Sequence, residues 1–103
     1  MAYDLLITSA AHQDLDNALH YITETLANPT AASTLLNEIE SCYNQICQFP
    51  FSYETCRDIN LQHKGYRKAP IGNYILVYRP DETLQKVYVL RFFYGRSDYE
   101  KIL

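Results

Sequence analysis

The spacing of apolar residues changes character near residue 65, from helical recurrence to short β-type runs. Tyr3–Thr8 is a short apolar run that reads as a strand, and Ser9 after it suits the N-cap of a helix, where its hydroxyl can accept from a free N–H of the first turn. Leu15, Ala18, Leu19, Ile22 and Leu26 follow at i, i+3, i+4, i+7 and i+11, one apolar stripe that predicts a helix to about Ala27, with Asp14, Asp16, Asn17 and Glu24 on its other side. Asn28-Pro29 restarts the chain with a capping residue and a proline whose missing N–H costs nothing at a first helical position. Ala32, Leu35, Leu36, Ile39, Tyr43 and Ile46 form a second stripe, closed by Phe49-Pro50. Two amphipathic helices joined by so short a break predict an antiparallel hairpin.

Residues 49–64 show no clear period and read as a loop. Beyond it, Tyr66–Ile71, Tyr74–Arg79 and Lys86–Tyr94 are rich in Tyr, Val, Ile and Phe, separated by Gly72-Asn73 and Pro80-Asp81-Glu82-Thr83. This predicts a three-stranded antiparallel meander, with Pro70 at an edge or strand end because it cannot donate to a ladder. Arg96–Leu103 reads as a short helix or an extended tail. The expected order is β-α-α-β-β-β, an α+β domain over residues 1–103 with a helical hairpin packed on a small antiparallel sheet.

Charge sharpens this picture. Residues 1–56 hold seven acids and no Lys or Arg, net −7, whereas residues 57–103 hold all nine bases against five acids, net +4. The helices thus carry the acids and the sheet the bases, leaving a sheet face for water or for a partner. This asymmetry suits an anion-facing surface or, equally, attraction between the two halves of the fold. No apolar run nears the roughly 18 residues of a membrane span, and Met1-Ala2-Tyr3-Asp4 has no secretory character, so a cytoplasmic location away from membranes is expected. Cys42, Cys47 and Cys56 form no CxxC, and Cys42 and Cys47 read as buried thiols of one helix. His12, His20 and His63 are scattered, and no phosphate-binding glycine loop or GxSxG is present, so neither a metal nor a cofactor is expected.

Several local patterns fall in one order: Tyr21-Ile22 in the first helix, Asn28-Pro29 and Ala31-Ala32 opening the second, and Phe49-Pro50 closing it. Gly65-Tyr66-Arg67, Asn73–Tyr78, Val87–Arg91 and Tyr94–Tyr99 complete the series. This arrangement resembles the RelE/ParE superfamily of bacterial toxins over essentially the whole chain. The resemblance implies the toxin of a type II toxin–antitoxin pair, held by a cognate antitoxin protein. It also implies one of two targets. RelE-like members cut messenger RNA on the ribosome without a metal, using the transcript's 2′-OH as nucleophile, and ParE-like members bind DNA gyrase without catalysis of their own.

The RelE-like endoribonuclease is the first expectation and the ParE-like gyrase inhibitor the alternative. RNA cleavage needs a base for the 2′-OH, cations for the developing charge and an acid for the leaving oxygen, all at one phosphate. The resemblance makes Arg67 and Arg91 the phosphate clamps, unless each is tied up by an acid such as Asp98. Tyr94 is the expected proton donor or base-stacking ring, unless it only packs. His63 and Lys64 are candidates for the general base, with Lys68, Arg96 and Tyr99 as RNA contacts. On this reading Arg67→Ala and Arg91→Ala abolish toxicity at an unchanged melting temperature, and Leu36→Ala costs about 2–5 kcal/mol as a core residue. The acidic net charge of −3, and Phe93 where one branch keeps a His, fit RNA cleavage poorly.

Overall fold

The computed structural model describes residues 2–95, so the expectations for Arg96–Leu103, including Arg96, Asp98 and Tyr99, lie outside the described residues. The observed order is β1 (Asp4–Ile7), α1 (Ser9–His20), a π-helical turn (Tyr21–Thr25), α2 (Pro29–Gln48), α3 (Ile59–His63), β2 (Arg67–Ile71), β3 (Tyr74–Asp81) and β4 (Lys86–Tyr94). The α+β class and the helical hairpin are as the periodicity predicts. Thr8, rather than Ser9, is the N-cap of α1: its hydroxyl accepts from the Ala11 N–H at 3.1 Å and donates to the Leu90 carbonyl at 2.9 Å. Asn28 caps α2 by accepting from the Ala31 N–H, with Pro29 in the first turn.

The strand order is β1-β4-β3-β2, with β2-β3 and β3-β4 antiparallel. Strand β1 adds a parallel pair to β4 (Leu5 opposite Val87, Ile7 opposite Val89), which makes the sheet mixed rather than wholly antiparallel. The predicted meander covers only three of its strands, because a short apolar run does not show the direction of its partner. Pro70 lies on the edge strand β2. Gly72, at φ +56°, occupies the first turn position between β2 and β3, where a two-residue hairpin favours glycine.

The main core joins the hairpin to one sheet face: Leu15, Ile22, Leu35, Ile39 and Ile46 meet Ala69, Leu76, Tyr78, Val87, Val89 and Phe92. Tyr78 is fully buried and its hydroxyl donates to the Pro50 carbonyl at 2.8 Å. Burial pushes the Tyr78 phenol up to about 12. Cys42 is buried in the same stripe, and burial raises its thiol to about 11, so it packs as an inert small side chain. Two members of the predicted stripes leave the core. Leu36 is 47% exposed and Leu26 is 55% exposed.

The segment expected to be a loop contains α3, capped by Asp58, whose carboxylate accepts from the N–H groups of Asn60 and Leu61. Five residues of helix are too few to show a period, so the cap was its only sequence signal. Leu61 and Cys56 pack with Val77 and Phe93 in a second, smaller core on the far face of the sheet. That face is therefore partly covered and is not wholly left to solvent.

Candidate functional site

The expected catalytic side chains arise on β2, α3 and β4, and the sheet register decides which can meet. Arg67 pairs with Tyr78 and so shares the hairpin side of the sheet. Its guanidinium turns onto the preceding loop, donating to the Tyr53 carbonyl at 2.6 Å and lying 5.0 Å from the centre of the Phe51 ring. Arg91 pairs with Val77, a residue of the far-side core. It reaches round to α1 and makes a bidentate ion pair with Asp14, at 2.7 Å from Nε and 3.1 Å from Nη2. The same carboxylate accepts from the Phe92 N–H at 3.0 Å, where β4 has run past the end of β1. This pair, led by the hydrogen bond to Asp14, raises the Arg91 pKa further above its already high value. The ionic alternative anticipated for Arg91 therefore holds, with Asp14 as the acid. Both partners are mostly buried, so the contact is shielded from salt.

Tyr94 sits at the other end of the hairpin side, opposite Tyr74, with its ring edge-on to Tyr74 at 5.5 Å between centroids. Arg67 and Tyr94 lie four residues apart along the register and two strands apart across it, a backbone separation of about 16 Å. His63 and Lys64 are exposed at the end of α3, with Lys64 Nζ 5.8 Å from the centre of the Tyr66 ring. Lys68 is on the far face, 3.5 Å from Glu54. The predicted clamps, acid and base therefore do not converge on one position. Among the described residues no group of three or more His, Cys, Asp or Glu is arranged to hold a metal ion. Nor is any described helix long and apolar enough to cross a membrane.

Two surfaces remain. On the far face, cations lie over aromatic rings: Arg79 4.6 Å from the Tyr88 centroid and Arg91 4.9 Å from that of Phe93. These bases are largely engaged, since Arg79 also lies 3.9 Å from Asp81. On the hairpin side, a groove of about 1030 Å³ opens between the π-helical turn, the start of α2, the β2-β3 turn and the end of β4. Its walls are mostly apolar, among them Tyr21, Leu26, Leu35, Tyr74 and Tyr94, and among the described residues Glu38 is the one charged residue lining it. Tyr21, Leu26 and Tyr94 are 52%, 55% and 55% exposed. Of these only Tyr94 was expected from the sequence to act at a site, and among the described residues its setting is an apolar wall without basic side chains. Leu26 looked like core because helical spacing was extended through the π-helical turn.

This fold, with a helical hairpin laid on one face of a small mixed sheet, is that of a toxin–antitoxin toxin. The family model for the ParE toxin of the type II toxin–antitoxin system parDE matches residues 5–99, and the chain belongs to that family. Among solved structures, a chain of the toxin–antitoxin complex RelBE2 from Mycobacterium tuberculosis is similar at a TM-score of 0.64 and 21% identity, covering 91% of this chain and 99% of that one. A chain of the chromosomal ParDE system from P. aeruginosa is similar at a TM-score of 0.68 and 18% identity, covering 90% of this chain and 96% of that one. At such identities these two likenesses speak to the fold alone. No curated protein sequence matches the chain.

Proposed function

We propose that this toxin stops growth in the ParE-like way, by binding DNA gyrase as a protein target without cutting RNA, and that a cognate antitoxin holds it inactive. The observation that carries this reading is the divergence of the side chains RNA cleavage would need. Arg91 is bound to Asp14 through two hydrogen bonds, and Arg67 is turned onto loop carbonyls. Tyr94 stands in an apolar groove about 16 Å of backbone away from Arg67. Acid, base and clamp must meet within hydrogen-bond reach of one phosphate for general acid–base catalysis to operate. A binding toxin needs only a surface, and the chain has two. Its acidic net charge also weakens non-specific attraction to nucleic acid.

One observation favours the RelE-like reading as the second choice. Arg79 over Tyr88, Arg91 over Phe93 and Lys64 over Tyr66 make a strip of paired cations and rings, the chemistry that stacks bases and holds phosphates. The two readings separate in vitro. Purified chain, freed of antitoxin, is expected to inhibit gyrase supercoiling and to leave mRNA intact on translating ribosomes. Normal supercoiling together with codon-positioned cuts would reverse the choice.

A further inference from the structure

Beyond the last residue of β1, the edge of β4 is met by α1 instead of a strand. Ile7 pairs with Val89 at the end of β1. Past that point the Thr8 hydroxyl donates to the Leu90 carbonyl at 2.9 Å, and the Asp14 carboxylate accepts from the Phe92 N–H at 3.0 Å. The β3-β4 register shifts here: Tyr78 pairs with Val89 and Val77 with Arg91, so Leu90 is an extra residue. Bulges re-aim neighbouring side chains, and Arg91, just past this one, reaches α1. Three donors thereby converge on one carboxylate. Arg91 Nε donates to Oδ2 at 2.7 Å, Arg91 Nη2 to Oδ1 at 3.1 Å and the Phe92 N–H to Oδ2. A guanidinium fork beside a backbone N–H is a donor set that fits phosphate as well as carboxylate.

We infer that Asp14 is an internal stand-in for phosphate, and that it sets the toxin's target class by keeping nucleic-acid phosphates off this donor set. The part about targets rests on the proposed gyrase-binding role, and the donor set stands without it. Position favours the internal anion. A tethered group acts at an effective concentration on the order of millimolar, so a phosphate arriving from solution must displace an anion already in place. The Arg91 and Asp14 side chains are only 28% and 15% exposed, and salt screens such a contact poorly. The surrounding surface supplies the remaining chemistry for a nucleic acid, with Arg91 4.9 Å from the Phe93 centroid and Arg79 4.6 Å from that of Tyr88. A neutral residue at position 14 would leave the fork and the N–H directed at an unfilled anion position.

The test compares the full chain with Asp14→Asn and with the double variant Asp14→Asn, Arg91→Gln. Asparagine keeps the size of the side chain and can still accept from the Phe92 N–H, but it brings no charge to the guanidinium. Inorganic phosphate is the probe, against chloride at equal ionic strength. Phenylglyoxal modifies guanidinium groups that no anion shields, and peptide mapping reads Arg91. In the natural chain Arg91 should react slowly, and phosphate should change that rate less than twofold. In Asp14→Asn it should react at least tenfold faster, with phosphate restoring the slow rate and shifting the Phe92 amide resonance. The double variant should show no such shift. Asp14→Asn should also bind a short single-stranded RNA at least tenfold more tightly than the natural chain. A fast Arg91 that phosphate does not protect, or RNA binding unchanged by the substitution, overturns the inference and leaves Asp14 as a clasp alone. If Asp14→Asn is unfolded by itself, phosphate should restore its melting transition, and no restoration is equally fatal. Gyrase supercoiling tests the proposed function separately: a natural chain that leaves it untouched sinks that reading, whatever phosphate does at position 14.

Discussion

The middle of the helical hairpin and its tip follow different rules. In the middle, Leu15, Leu35, Ile39 and Ile46 recur at helical spacing and all are buried against the sheet. At the tip the same spacing runs through Ile22 to Leu26, yet Ile22 is buried and Leu26 lies 55% exposed. The π-helical turn separates the two, and an apolar groove of about 1030 Å³ sits where the pattern fails. Departures from local rules in natural proteins concentrate at functional or strained places, and this tip combines a left-handed Ala27 with exposed Tyr21 and Leu26.

Core truncation should give the largest effect. Leu35→Ala is expected to cost about 2–5 kcal/mol in chemical denaturation, because Leu35 is 6% exposed in the main core. A loss below 1 kcal/mol would place the hairpin interface elsewhere.

Next comes the clasp between α1 and β4. Arg91→Ala or Asp14→Ala should each cost about 1–3 kcal/mol, since either leaves a mostly buried polar partner unmatched. A double-mutant cycle should show the two losses to be far from additive. This replaces the sequence-based expectation that Arg91→Ala would leave the melting temperature unchanged. An unchanged melting temperature with lost toxicity would restore Arg91 as a functional cation.

Alkaline pH probes the buried middle more gently. Burial raises Cys42 from 9.0 to about 11, and Tyr43 and Tyr78 from 10.0 to about 12. The folded state therefore holds these protons more tightly than the unfolded state. The associated stability is full below pH 9 and is lost as pH rises through the window from 9 to about 12. Cys42→Ala should shrink the loss that begins near pH 9, leaving there only the share of Cys47, which burial also raises, and melting curves at stepped pH read it. The smallest effect should come from Leu36→Ala, within about 0.5 kcal/mol, because Leu36 is 47% exposed. A cost near that of Leu35→Ala would mean that a partner or second copy covers it.

Much of this fold is written in local chemistry that a sequence displays. Asn28-Pro29 starts a helix by capping and a fixed φ, and Gly72 marks the turn between β2 and β3. Three features were not legible for physical reasons. The parallel pairing of β1 with β4 joins segments about eighty residues apart, and a four-residue strand carries no mark of its partner. Helix α3 is shorter than the window in which helical spacing can be recognised. Asp14 looked like a solvated residue on the polar side of α1, because its partners, Arg91 and the Phe92 N–H, are made adjacent only by the tertiary fold. The candidate site suffered most. Residue type suggested Arg67, Arg91 and Tyr94 as a set, but strand register and the Asp14 clasp send them to different surroundings.

Arrest by binding gyrase, and not by RNA cleavage, can be read in cells expressing this chain alone, by following labelled thymidine and methionine incorporation. An early fall in thymidine incorporation, with filamentous cells, is expected while methionine incorporation continues. A prompt fall in methionine incorporation with thymidine intact would contradict it and return the far-face cations and Tyr94 to consideration as RNA-cleaving groups.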